Sequence, residues 1–495
     1  MSAPQIEMQL YIDGTARPAS DARQLKLTNP ARPEEIVGAC ADASAEDIDT
    51  AVRAAHRAFP AWAAKSIEER AALLERVADA LGADEEDIAF RAQLLTRENG
   101  KIARETMVEM SRLGDRFRQV AGYGRQMAQE ETITGGPFDT IVTRQPRGVA
   151  ALIVPWNWPL ALLGAKLPQA LVAGNTVVVK LAETAALAPA LTLHKIAALF
   201  PPGVVNVISG DGARTGDALT GHPLVRKVNF TGSVRVGRLV MASAARNITP
   251  VTLELGGNDP ALILEDAELN AETFMKLYWS AFATSGQICH ALKRLYVHRS
   301  RYDEVVDGLT SAAEKMVVGD GLLPETTMGP LNNPAQLKVV TDMIAEARAA
   351  GADLKECGQV PDEALYRGGY FQRPTLVYDP DPGLRLVREE QFGPVLPILP
   401  FDTEAEAVAA ANDSAFGLCS SVWTQDRDRA LRLARQIEAG YTYINGHGPM
   451  AQDGRGPFGG FKLSGIGRNM GMDGVLSFAG THAISAPAGF LLENG

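Results

Sequence analysis

Gly148-Val149-Ala150-Ala151-Leu152-Ile153-Val154-Pro155 opens a series of short apolar runs, and the next, Thr176-Val177-Val178-Val179-Lys180, follows after about the length of one helix. Such runs, rich in β-branched residues and bounded by Pro, Gly and Asn, are too short for buried helices and read as strands covered on both faces. The rhythm continues through Val204–Ile208, Lys227–Phe230 and Thr252–Leu255 with helix-length segments between. Strand, helix and strand in succession predict βαβ units and a parallel sheet. From Ala261 to about Asn445 the pattern recurs, with runs at Arg294–Val297, Leu396–Leu399 and Tyr441–Ile444. The fold class is therefore α/β, with two parallel-sheet domains that divide near Gly256-Gly257.

Ahead of this core, Ala45 to about Glu130 has apolar positions at three- and four-residue spacing, with acidic residues at the start Ser44-Ala45-Glu46-Asp47, and predicts helices. In Glu131–Gln145, Thr and Ile alternate with polar residues around Gly135-Gly136-Pro137. That segment predicts a hairpin leaving the main body, with its partner expected on another subunit. Gly446–Gly474 is rich in Gly and poor in helical period, and Thr481–Ser485 reads as a terminal strand. The division expected is 1–122 with 146–255, then 256–474, with 123–145 and 475–495 forming a small β arm.

At 495 residues the chain exceeds one compact core. Its net charge of -11 opposes binding to nucleic acid or anionic membranes, which leaves a small molecule as the expected partner. The start MSAPQIEMQL has neither the basic opening nor the apolar core of a leader. The most apolar stretch, Ala150–Leu181, is broken by Pro155, Asn157, Pro159, Lys166, Pro168 and Asn175, too often for a helix in hydrocarbon. Cys40, Cys289, Cys357 and Cys419 show no metal-ligand or CxxC spacing, so no metal is expected and a reducing, cytoplasmic setting is.

Among these cysteines, Cys289 stands where a helical pattern breaks, in Phe282-Ala283-Thr284-Ser285-Gly286-Gln287-Ile288-Cys289. Alone it reads more often as a buried apolar thiol than as a nucleophile. Glu254 ends an apolar run at the Gly256-Gly257 turn, where desolvation raises a carboxyl pKa toward general-base use; alone it is a strand-end charge. Lys180 and Glu183 lie just past the strand Thr176–Val179, either an ion pair or part of a ligand edge. Gly210-Asp211-Gly212-Ala213-Arg214-Thr215-Gly216 only approximates a dinucleotide fingerprint. Phe230-Thr231-Gly232-Ser233 fits a helix cap or an anion site.

Val251-Thr252-Leu253-Glu254-Leu255-Gly256-Gly257 followed by Gly286-Gln287-Ile288-Cys289 resembles the double signature of the aldehyde dehydrogenase superfamily. The resemblance runs from roughly Tyr11 to the terminal strand through Pro155-Trp156-Asn157-Trp158-Pro159, Phe230-Thr231-Gly232-Ser233, Glu390-Gln391-Phe392-Gly393-Pro394 and Pro457-Phe458-Gly459-Gly460. It implies two Rossmann-like domains plus an oligomerisation arm, and NAD-dependent oxidation of an aldehyde to the acid through a thioester on Cys289. By it, Asn157 and the Cys289 backbone N–H form the oxyanion hole, and Glu254 is the base for hydrolysis. The implied cofactor residues are Ile153, Trp156, Lys180, Glu183, Gly212, Phe230, Gly232, Ser233, Gly237, Leu255, Gly256, Glu390 and Phe392. Because Glu183 repels a 2′-phosphate, NAD is favoured over NADP.

Trp158, Ile288 and His290, with the loop Gly446–Arg455, are implied to border the substrate. His290 is expected to point away from Cys289, as adjacent side chains usually do. The resemblance further implies a homodimer or homotetramer. Two rival readings are a CoA-acylating dehydrogenase, whose branch commonly lacks the Glu at Glu254, and an inactive structural protein on the same fold. Leu181 stands where many members have Pro. Asn469 stands where members with a second acidic candidate have Glu, and Asn takes no proton at neutral pH.

Overall fold

The computed structural model describes residues 6–491; Met1–Gln5, at the start read as lacking a leader, and 492–495 lie outside the described residues. The runs quoted above become the parallel centre of an eight-stranded sheet. From the middle strand Val149–Ile153 the sheet extends to one side through Thr176–Lys180 and Val205–Ile208, and to the other through Val225–Thr231 and Val251–Glu254. Alternation along each strand feeds two cores: Ala150, Leu152, Val177 and Val179 face one, Ala151, Ile153, Val178 and Ile208 the other. Burial on both faces explains why these strands carry no polar alternation.

After Val205–Ile208 the chain returns across Val149–Ile153 before adding Val225–Thr231. This reversal parts the connections at the carboxyl ends of the two neighbouring strands, where Ile153 is in register with Phe230. Such switch points are where open parallel sheets take their ligands.

A seven-stranded sheet forms the second layer system, in the order Asp353–Glu356, Thr375–Tyr378, Val395–Phe401, Leu292–His298, Asp259–Ile263, Cys419–Trp423 and Tyr441–Ile444. All its pairings are parallel except the first. Only Leu255–Asn258 separates the last central strand of the first sheet from Asp259–Ile263 of the second.

The helical segment resolves into Ala45–Ala63, Ile67–Gly82, Glu85–Asn99 and Ala103–Met127. Ser44 and Asp47 close the first with a reciprocal capping box. Strands ahead of Ala45 were not expected from the sequence. Leu10–Ile12 and Thr15–Arg17 extend the first sheet antiparallel at one edge, and Gly465–Ile466 from the Gly-rich tail pairs antiparallel with Val251–Glu254 at the other.

The hairpin is present as Glu131–Ile133 and Phe138–Pro146, but the expectation about its partner needs correction. Its long strand pairs with the terminal strand Ala479–Pro487 of the same chain, in unbroken register from Ala479↔Pro146 to Pro487↔Phe138. A nine-residue antiparallel match within one chain avoids the entropy of finding a second molecule.

Candidate active site

Cys289 lies just past the helix Ala271–Phe282, in a segment whose backbone turns left-handed at three residues in succession, Thr284 (φ 53°), Ser285 (φ 56°) and Gly286 (φ 73°). A β-branched residue at positive φ is strained and persists only where its surroundings over-determine it. Here they do. Glu105 accepts from the Thr284 N–H at 2.7 Å, the Thr284 hydroxyl accepts from Trp158 Nε1 at 3.0 Å, and Ser285 Oγ donates to the Gly329 carbonyl at 2.7 Å. Gly286 has no alternative, since a Cβ would overlap the Gly393 carbonyl.

The helix Ala103–Met127 supports this segment twice. Besides Glu105, its Glu109 accepts from the N–H groups of Leu160 and Ala161 at 2.7 and 2.9 Å, fixing the start of Pro159–Gly164 directly after Asn157-Trp158. Glu109 is paired with Lys101, and both side chains are fully buried. Lys101 Nζ also lies 4.2 Å from the Trp158 ring centroid. Asn157 is buried, and its Nδ2 donates to the Gln287 carbonyl at 2.8 Å, which ties the two loops together and leaves one amide proton free.

The Cys289 thiol is half-buried and its pKa is pushed up to about 12 by desolvation, against which the nearby Lys293 ammonium acts. The resting sulfur is therefore a neutral thiol. The expectation for His290 is overturned: its Nδ1 lies 3.3 Å from Cys289 Sγ, because the ring folds back to pack edge-on against Phe458, 5.2 Å between centroids. Burial lowers the imidazole pKa to about 3, so the ring is neutral and shares a hydrogen bond with the sulfur through Nδ1. Ile288 is buried, its carbonyl accepting from Lys293 Nζ at 2.6 Å.

Glu254 ends its strand beside the tail. Only 4% of it is exposed, neither carboxylate oxygen has a hydrogen-bond partner, and desolvation pushes its pKa up to about 8. The opposing influence is Lys166, fully buried, whose own pKa desolvation lowers to about 7. Lys166 Nζ donates to Asn229 Oδ1 at 2.5 Å and Thr231 Oγ1 at 2.7 Å, and Asn229 Nδ2 donates to Asn469 Oδ1 at 2.8 Å. Sequence reading missed Lys166, Glu105 and Glu109; each sits in a segment whose apolar or helical period hides a buried charge.

On the first sheet's carboxyl edge, Lys180 Nζ contacts Glu183 Oε1 at 3.0 Å, and that oxygen accepts from the Gly212 N–H at 2.5 Å. Lys180, Glu183 and Gly212, three of the residues implied to hold the cofactor, therefore meet. Ser233 caps the helix Val234–Ala245 by accepting from the Val236 N–H at 3.3 Å. Gly237 serves packing, because a Cβ there would press on Leu255 at 2.6 Å. Glu390 seats on the Gly256-Gly257 turn, accepting from the Gly257 N–H at 3.0 Å, and a Cβ on Gly256 would overlap its carboxylate. Phe392, at φ 48°, meets Trp156 edge-on at 5.7 Å.

Parallel sheets with a topological switch point, and a cysteine near an unpaired buried carboxylate where the two sheets join, define an α/β fold of the dinucleotide-binding kind with a thiol at its junction. The aldehyde dehydrogenase family model matches residues 17–484, and the chain belongs to that family. It is 37% identical to a glutarate-semialdehyde dehydrogenase of Pseudomonas aeruginosa over 96% of each chain. It is also 37% identical to an NADP(+) succinate-semialdehyde dehydrogenase of Escherichia coli, over 94% of this chain and 95% of the other. A crystal structure of Staphylococcus aureus betaine aldehyde dehydrogenase in complex with NAD+ superposes with a TM-score of 0.92 at 31% identity, covering 98% and 96%.

Proposed function

We propose that the protein oxidises an aldehyde to its carboxylic acid with NAD⁺ and water, through a thioester on Cys289. The observation that carries this reading is the unpaired Glu254 carboxyl, held near neutrality in a junction that also holds a thiol. The cofactor residues fit a dinucleotide: Lys180, Glu183 and Gly212 form a cluster for the adenosine ribose, Ser233 and its helix start face the pyrophosphate, and Glu390 takes the nicotinamide ribose with Phe392 beside the ring. NAD⁺, when bound, supplies the hydride acceptor. Glu183 favours NAD over NADP, although one relative is named for NADP.

With the thiol at about 12, attack on the carbonyl requires the sulfur to release its proton to solvent water as the C–S bond forms. The free Asn157 amide proton and the Cys289 N–H then hold the developing oxyanion. After oxidation, Glu254 in its ionised form takes a proton from water, whose oxygen attacks the thioester and expels the Cys289 thiolate. Residues 1–122 with 146–255 form the cofactor unit, 256–474 the unit carrying the nucleophile, and 123–145 with 475–495 the oligomerisation arm. The exposed apolar side chains of that arm, Ile133, Phe138 and Ile484, suit burial in a homodimer or homotetramer.

The test is a rapid-mixing experiment on Glu254→Gln. One equivalent of NADH per subunit should form in a burst, followed by turnover slowed roughly a hundred- to ten-thousandfold. Mass spectrometry should find the acyl group on Cys289. Steady turnover without a burst, and no acylated Cys289, would remove Glu254 from hydrolysis.

A further inference from the structure

Among the described residues five lysines are buried, at 5% exposure or less: Lys101, Lys166, Lys180, Lys227 and Lys293. Four are held by side chains. Lys101 pairs with Glu109 and Lys180 with Glu183, Lys166 donates to Asn229 and Thr231, and Lys227 donates to Thr252. Lys293, 1% exposed on the strand Leu292–His298, differs. Among the described residues its ammonium forms no ion pair and makes one hydrogen bond, to the Ile288 carbonyl at 2.6 Å. Two of its three donors are unused. A cation buried on these terms costs stability, so its place in the molecule points to work at the site beside it rather than to a structural tie.

The bonded carbonyl belongs to the nucleophile's own peptide. Ile288 C=O and Cys289 N–H are the two ends of one peptide group, and that carbonyl accepts a second bond, from the Ala291 N–H at 3.1 Å. Drawing electron density to the oxygen makes the N–H at the other end a stronger donor. The ammonium also lies 5.5 Å from the Phe392 ring centroid, so it reaches both the Cys289 loop and the segment Glu390-Gln391-Phe392. Of the charges acting on the thiol, that of Lys293 is the largest and favours the ionised sulfur, whereas Glu390, Asp259 and Glu254 oppose it. Lys166 couples to the same sulfur, and neutral His290 lies against it. The Lys293 charge likewise favours the ionised forms of Asp259 and Glu390, and it adds to burial in keeping the His290 and His447 imidazoles neutral.

We propose that Lys293 is a positioning residue for the nucleophile: its ammonium polarises the Ile288-Cys289 peptide, strengthening the N–H that holds the oxyanion, and supplies the positive charge beside which the Cys289 sulfur ionises. In the attack the thiol proton passes to solvent water, the freed sulfur pair forms the C–S bond, and the carbonyl π pair moves onto oxygen. Lys293 gives up no proton in that step and acts through its field and through the peptide. The oxyanion part of this assignment rests on the proposed aldehyde oxidation; the effect on the sulfur does not.

Alkylation of Cys289 by iodoacetamide needs the ionised sulfur but no oxyanion hole, aldehyde or NAD⁺, so it tests the charge by itself. Mass spectrometry follows the rate at Cys289 at pH 7, 8 and 9 in wild type, Lys293→Met and Lys293→Gln. Gln keeps an N–H for the Ile288 carbonyl without the charge. Loss of a neighbouring opposite charge raises a thiol pKa by about one unit, and the more basic thiolate regains roughly half of that in reactivity. Both variants should therefore alkylate about threefold or more slowly at every pH; should Lys293→Met not fold, Lys293→Gln alone decides. In rapid mixing with aldehyde and NAD⁺, the NADH burst should fall further than alkylation does, by about another threefold or more. Alkylation at the wild-type rate in both variants overturns the assignment. So does a wild-type rate in Lys293→Gln alone, because the hydrogen bond and not the charge would then be the agent. A burst that falls only as far as alkylation removes the effect on the oxyanion. If alkylation slows as expected while wild type forms no NADH from any aldehyde, the effect on the sulfur stands and the proposed oxidation falls.

Discussion

Glu98 and Glu254 are both buried, 1% and 4% exposed, and desolvation pushes both carboxyls to about 8, yet their surroundings are opposite. Glu98 accepts from the N–H groups of Leu187 and Ala188 at 2.7 and 2.8 Å, closing the start of the helix Leu187–Ala197. Glu254 accepts from nothing. The contrast extends to their neighbourhoods. Beside Glu98 on the helical side, Glu105 and Glu109 are bonded to backbone donors and Lys101 to Glu109. At the junction of the sheets, both oxygens of Asp259 and the Nε2 atoms of His290 and His447 are buried without partners. Satisfied buried charges join elements of the fold. Unsatisfied ones cost stability, and they gather where reacting groups need to exchange protons.

The sharpest break in this comparison is Cys289→Ala. If the junction is organised for chemistry at sulfur, NADH formation with any aldehyde should fall at least about ten-thousandfold while stability changes by less than about 1 kcal/mol. Steady-state assays alongside urea unfolding read both quantities. Residual turnover within a hundredfold of wild type would mean that another group attacks the carbonyl.

On the helical side the expected effect is on folding. Glu109→Ala leaves Lys101 buried without its counter-charge and frees the Leu160 and Ala161 N–H groups, which should cost about 3–5 kcal/mol. Because those N–H groups fix the segment after Asn157, surviving activity should fall in kcat. Replacing both partners, as Lys101→Met with Glu109→Leu, should recover much of the stability but not the kcat. Equal unfolding midpoints for wild type and Glu109→Ala would show that the pair adds nothing to the fold.

The two sides were also unequally legible in the sequence. Strands such as Thr176–Lys180 announce themselves because burial on both faces demands unbroken apolar runs, and Cys289, Glu254 and Asn157 lie in motifs that travel as contiguous residues. The residues that hold them do not. Glu105 and Glu109 sit four apart on an otherwise ordinary amphipathic helix, where an acid reads as solvated, and the backbone N–H groups they hold are 51 to 179 residues away. Leu10–Ile12 is three residues long, and its partner strand begins at Val205. His290 was misplaced because its orientation is set by Phe458, a contact that neighbouring residues in the chain do not encode.

The smallest effect concerns how the junction's cost depends on pH, and its sign separates Glu254 from Lys166. Glu254 has a folded pKa near 8 against an ordinary value of 4.5, so folding takes up a proton between those limits. Its contribution is most favourable below about pH 4.5 and is lost as pH rises through 8. Lys166, lowered to about 7 from 10.5, releases a proton on folding, and its cost is relieved only between pH 7 and 10.5. Between pH 5 and 7 Glu254 therefore acts alone. The stability of wild type relative to Glu254→Gln should decline across that window, by at most about 1.4 kcal/mol per pH unit for a single group. Lys166 titrates in both proteins and drops out of this difference, so the decline should continue to about pH 8 and then level off. Paired unfolding curves at pH 5, 6, 7 and 8 measure the slope. A difference that does not vary with pH would mean that Glu254 is ionised in the folded protein throughout, with a donor beside it, and the contrast with Glu98 would disappear.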